Sequence, residues 1–92
     1  MIAFLEATAL LLPVEAGGRL DPIAPRQGSY RPFAGSMRVR FIEGPPMIEP
    51  GGCGRVVVEV EEGFEDVVPG SELHLIEEDR IVGLLTVTRG LK

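Results

Sequence analysis

Apolar and polar residues alternate with a period of two along much of this chain, and Gly and Pro cut the alternation into short pieces. The clearest case is Gly54 to Glu61, where Val56, Val58 and Val60 share one face while Glu59 and Glu61 lie on the other. That spacing is a half-buried strand. Met37 to Ile42 repeats it, with Met37, Val39 and Phe41 on one side and Arg38 and Arg40 opposite. Leu73 to Ile76 and Ile81 to Thr88 read as two further strands. In the second, Ile81, Leu85 and Val87 share a face with Gly83. The tight turn Glu78-Asp79 joins the two strands.

Ile2 to Leu12 is rich in Leu and Ala and has helical propensity. No N-cap residue precedes it and Pro13 ends it, so a strand is expected. Glu15 to Ser36 carries Gly17-Gly18, Pro22, Pro25, Gly28, Pro32 and Gly35, which predicts a long loop. Loops of that length in small domains are often functional. Pro50-Gly51-Gly52 and Pro69-Gly70 are turn sequences, Pro presetting φ and Gly supplying positive φ.

Short strands between Gly/Pro turns predict an all-β fold. A small antiparallel barrel of five to six strands, Greek-key-like in its connections, is the economical form, because closure removes exposed sheet edges. The 92 residues make one domain, 1–92.

Composition narrows the functional classes. The formal net charge of −5 repels phosphate backbones at long range and disfavours a general nucleic-acid binder. The single cysteine, Cys53, permits neither an internal disulfide nor a cysteine zinc site, and a cytoplasmic setting fits that usage. The apolar start, Met1 to Pro13, has no basic flank and contains Glu6, so neither a signal peptide nor a membrane span is expected.

No catalytic constellation emerges. The one histidine, His74, lies between Leu73 and Leu75 and points away from them, which describes a solvated strand face. The acidic pairs Glu61-Glu62 and Glu65-Asp66 and the run Glu77-Glu78-Asp79 fall at turns and strand ends. The phosphate-cradling pattern GxxxxGK[ST] is absent, and Gly51-Gly52-Cys53-Gly54 leads into a strand and not into a helix N-terminus. A non-enzymatic binding module without cofactor or metal is expected.

Several phrases in series resemble the third, C-terminal domain of elongation factor Tu. Phe4-Leu5-Glu6-Ala7 opens an apolar strand, and Glu15-Ala16-Gly17-Gly18-Arg19 is similar to that family's E-G-G-R-H-T-P loop. Tyr30-Arg31-Pro32 matches G-Y-R-P, and Met47-Ile48-Glu49-Pro50-Gly51 followed by Val56-Val57-Val58 resembles M-V-M-P-G-D and its valine run. Leu75 to Gly83 reads like F-A-I-R-E-G-G-R-T-V-G. Order and spacing hold over nearly the whole chain. The gap lies between Phe41 and Met47, where the family carries another strand, so a strand is expected to be short, missing or rerouted. An incomplete barrel would leave an edge that a second copy of the chain could cover.

The resemblance implies a domain that meets aminoacyl-tRNA at the T-stem, the nucleotide-exchange factor and a GTPase domain. Residue by residue, Arg19 stands where the family's loop arginine does, Leu20 replaces the following histidine, and Phe33 replaces the glutamine after Y-R-P. Glu78-Asp79 replaces a Gly-Gly turn that approaches RNA, placing two carboxylates against phosphate. The expected partner is therefore a protein, one associated with translation factors. Arg19, Arg31, Phe33, Met47, Ile48 and Arg80 are the candidate contacts. The alternative is a tRNA- or RNA-binding remnant using a basic patch of Arg19, Arg31, Arg38, Arg40 and Arg80. For Arg19 and Arg31 a structural role, tying the long loop to the barrel through carboxylates, is favoured over the basic patch, and the third hypothesis is a small enzyme or metal-dependent protein using the acidic turns.

Overall fold

The alternation of the first strand survives intact in three dimensions. A computed structural model describes residues 4–63 and 65–91. In it β1, Phe4–Leu11, buries Leu5, Ala7, Ala9 and Leu11, each at most 1% exposed. The start predicted at Ile2 lies outside the described residues. Helical propensity gives way here because β1 is paired along both edges, with β4 (Cys53–Glu62) on one side and β6 (Arg80–Leu91) on the other. Ladder hydrogen bonds on two sides together with a buried inner face outweigh a few tenths of a kcal/mol per residue of propensity.

The remaining strands are β2 (Phe33–Ala34), β3 (Met37–Glu43) and β5 (Glu72–Glu77). All pairings are antiparallel, and the order β1-β4-β3-β2-β5-β6 returns to β1 to close a barrel. The expected small antiparallel barrel is the fold, with six strands. The interior is filled by Met37, Val39 and Phe41 of β3, Val56 and Val58 of β4, Leu73 and Leu75 of β5, and Val82, Leu85 and Val87 of β6. No polar or charged residue is buried among the described residues.

The expected gap in the barrel is not there. β2 is only two residues long, yet it pairs with both β3 and β5 and completes the ring. The segment before it extends the pairing, since Pro32 and Tyr30 carbonyls accept the N–H groups of Val39 and Phe41 at 3.0 and 2.9 Å. The argument for a second copy covering an open edge therefore lapses. The chain between β3 and β4 takes a different route. Ile48 and Ile23 exchange backbone hydrogen bonds in both directions at 2.9 Å, and both side chains are 3% exposed. Ile48, expected as an exposed contact, is instead part of the core, because this bridge turns it inward.

Ile81 also departs from expectation. It is 46% exposed, while its neighbours Val82 and Gly83 are both buried. A β-bulge causes this: Leu75 faces Gly83 but Ile76 faces Ile81, so Val82 is the extra residue. One inserted residue flips the alternation, and Ile81 lands outside. A second bulge, at Thr88, is secured by its hydroxyl donating to the Glu6 carbonyl at 2.7 Å.

Two backbone sites, one inside β6 and one in the β5–β6 turn, carry testable energies. Gly83 lies so close to β1 that an added Cβ would sit 2.4 Å from the Leu10 carbonyl oxygen. Backbone cannot yield as a side-chain tip does, so Gly83→Ala is expected to destabilise the barrel by about 3 kcal/mol, measured by urea denaturation. The β5–β6 hairpin has positive φ at both central residues, Glu78 at 50° and Asp79 at 65°. Such turns favour Asn-Gly. Glu78→Asn combined with Asp79→Gly is expected to stabilise the fold by about 1 kcal/mol by relieving this conformation, read as a higher denaturation midpoint.

Candidate functional site

The long segment after β1 is strapped against β3 and β5, and its turn begins with two glycines. Gly17 has φ 88°, and Gly18 passes the Leu12 carbonyl so closely that a Cβ would meet its oxygen at 2.1 Å. The turn sends Arg19 toward β5. There its Nε donates to Glu77 Oε2 at 2.9 Å, and its Nη1 donates to the carbonyls of Asp21 and Pro22 at 2.7 and 2.9 Å.

Tyr30 joins the same carboxylate. Its hydroxyl donates to Glu77 Oε2, its ring meets Phe41 edge-on at 5.0 Å, and the Arg19 guanidinium lies 5.1 Å from its centre. Burial, then the hydrogen bond and negative charge of Glu77, hold the Tyr30 phenol well above the usual tyrosine range, with Arg19 opposing. The phenol is a neutral donor across the working pH range. A raised folded-state value keeps this contribution intact until pH climbs through the alkaline tyrosine range.

Beside this cluster the other arginines divide by how firmly they are held. Arg40 donates to one oxygen of Glu59 from Nε and Nη2, at 3.2 and 2.9 Å. Arg31 meets Glu61 only at 3.5 Å, and its side chain is 55% exposed. Arg38 stacks on Phe33, 4.5 Å from the ring centre. A shallow cavity of about 360 Å³ is lined by Arg19, Tyr30, Arg31, Phe33, Arg38 and Glu77. A second, of about 480 Å³, is lined by Arg31, Arg38, Glu61 and Glu62, so the two arginines belong to both.

Of the candidate contacts, the structure brings together Arg19, Arg31 and Phe33. Arg80 starts β6 opposite Glu77 and is exposed, but it lines neither cavity. Met47, 55% exposed, lies in the connection between β3 and β4, next to the buried Ile48. Tyr30 and Glu77 were missed as site residues, and Arg38 was counted only in the arginine patch of the RNA alternative. The β3 alternation already set Arg38 outward, but nothing in the sequence paired it with Phe33 or brought Glu77 to Tyr30. Arg19 is the structural tie that was weighed against a contact role, with three donors occupied within the chain.

His74 and Cys53 are both exposed. Among the described residues no group of three or more His, Cys, Asp or Glu side chains is placed to hold a metal ion. Among the same residues no helix is long and apolar enough to cross a membrane.

On the far side of β2, Glu65 fastens the β2–β3 turn. Its Oε2 accepts the Ser36 hydroxyl at 2.6 Å and the Ser36 N–H at 2.8 Å. These bonds, the hydroxyl first, pull its carboxyl below the usual 4.5. A lowered folded-state value means the contribution is full above the unfolded value and is lost as pH falls through the folded one. Glu65 is accordingly expected to titrate below 4.5 by carbon-detected NMR, and Glu65→Gln to flatten the acid limb of the stability curve. For the tyrosine cluster, Tyr30→Phe is expected to cost about 1–2 kcal/mol in urea denaturation, because Glu77 loses a donor in a part-buried place. No family model matches this chain, and no curated protein sequence matches it.

Proposed function

We propose that this protein is a non-catalytic binding module of the elongation factor Tu C-terminal-domain type, acting in the cytoplasm, and that its partner is a protein. The observation carrying the reading is the charge pattern of the strapped face. Arg19 pairs with Glu77, Arg31 with Glu61 and Arg40 with Glu59, around the 39%-exposed ring of Phe33. A surface of mixed charge with arginine and aromatic anchors suits a protein interface. A phosphate backbone calls for cations not already neutralised, and the chain's net charge of −5 opposes it further.

The second reading, an RNA-binding remnant of the same family, draws on Arg38, which makes no ion pair among the described residues. Salt dependence separates the two. Affinity capture from cells of origin, followed by mass spectrometry, is expected to return a protein partner whose retention survives moderate salt. A titration with tRNA at about 50 mM salt is expected to show no binding, and affinity that falls steeply as salt rises would replace the protein reading with the RNA one.

A further inference from the structure

Arg38 stands apart from the other arginines of the strapped face. It lies outward on β3, directly across from Phe33 of β2, with its guanidinium over the ring. Its Nε is buried and has no hydrogen-bond partner. Among the described residues its one polar contact is from Nη1 to the Arg31 carbonyl at 3.5 Å, the outer limit for such a bond. Glu62 lies opposite on β4 and lines the same cavity, yet the two form no ion pair. A charged donor withheld from both water and protein acceptors is uncommon and costly.

Two further features bear on what would satisfy it. The Phe33 ring lies 4.5 Å under the guanidinium and restrains it, and the Nε–Nη2 edge is the one that grips a carboxylate with two parallel bonds. For a carboxylate to reach the buried Nε a neighbour must move, and Arg31, half-exposed and held by Glu61 only at 3.5 Å, lines both cavities beside Arg38. Around the two cationic groups lie Glu61, Glu62, Glu77 and Glu78. That ring of acids repels a polyanion but suits cations flanking a single negative charge.

We propose that Arg38 and Arg31, with Phe33 as the stacking plate, receive one carboxylate side chain of a partner protein, and that basic residues on either side of it face Glu61, Glu62 and Glu78. The site rests on the protein-binding reading above and gives it a ligand chemistry: an acidic residue set between basic ones in an exposed peptide segment.

The test follows the arginine side-chain N–H signals of the whole chain by NMR while the peptide acetyl-Lys-Glu-Lys-amide is added. Acetyl-Lys-Gln-Lys-amide and inorganic phosphate are titrated in parallel. The Arg38 Nε signal is expected to shift saturably with the Glu peptide and not with the Gln peptide. Arg38→Lys retains the charge but loses the fork, and is expected to weaken binding about tenfold. Arg89→Gln, on a strand face outside both cavities, is expected to leave binding unchanged. An unmoved Arg38 signal, or equal shifts with the Glu and Gln peptides, would overturn the proposal, and so would tighter binding of phosphate than of the peptide. The wild-type titration decides these outcomes even if a variant fails to fold. Glu-peptide binding at Arg38 with no protein recovered from cells supports the receptor and removes the broader reading. A captured protein held equally well by Arg38→Lys overturns the receptor and leaves the broader reading in place.

Discussion

Closure of the barrel runs through β2, a strand of two residues, and the outer face is arranged around propping that seam. Two residue pairs on each side give little ladder for a join that must hold β3 to β5. The chain compensates on both flanks. Before β2, Tyr30 and Pro32 carry the pairing along β3, and the Tyr30 ring rests on Phe41. After it, Gly35 N–H donates to the His74 carbonyl, and Glu65 fastens Ser36. Arg19 and Tyr30 converge on one carboxylate oxygen of Glu77, which ties the strap to β5 across the seam.

The same requirement explains why the cations of this face are unequal. Arg19 and Arg40, with side chains 21% and 32% exposed, have short contacts to single carboxylates. Such part-buried, well-oriented pairs contribute more than exposed ones, which contribute little. Arg31, two residues before β2, and Arg38, directly across from Phe33 of β2, are held less firmly. One is half-exposed with a long contact, and the other is stacked on an aromatic ring with a donor unfilled. Structural demand takes up the first two arginines and leaves the second two with binding capacity. The resemblance to elongation factor Tu pointed to Arg19, yet in this chain the loop arginine is the one most committed to holding the fold.

Much of the architecture was legible in the one-dimensional pattern. Alternating valines placed β4, Arg38 and Arg40 faced outward from β3 as their spacing required, and the Gly/Pro punctuation located the turns. What could not be read were features that depend on a partner strand. The Val82 bulge is set by how β5 and β6 register against each other, and it alone moves Ile81 from core to surface. Ile48 is buried because Ile23, far off in sequence, exchanges hydrogen bonds with it. The long loop looked structureless, because a two-residue strand has no periodicity to detect.

By itself, then, the sequence determined an all-β fold built of short strands, with Val, Leu and Ile inside, since period-two patterning and turn residues act locally. Only the tertiary structure decided that the ring closes, which apolar residues stay outside, and which arginines are taken. Those outcomes depend on contacts between residues distant in sequence: Arg19 and Tyr30 with Glu77, Phe33 with Arg38, Ile23 with Ile48. A side chain's binding capacity is what remains after such contacts are made, and no local pattern records that remainder.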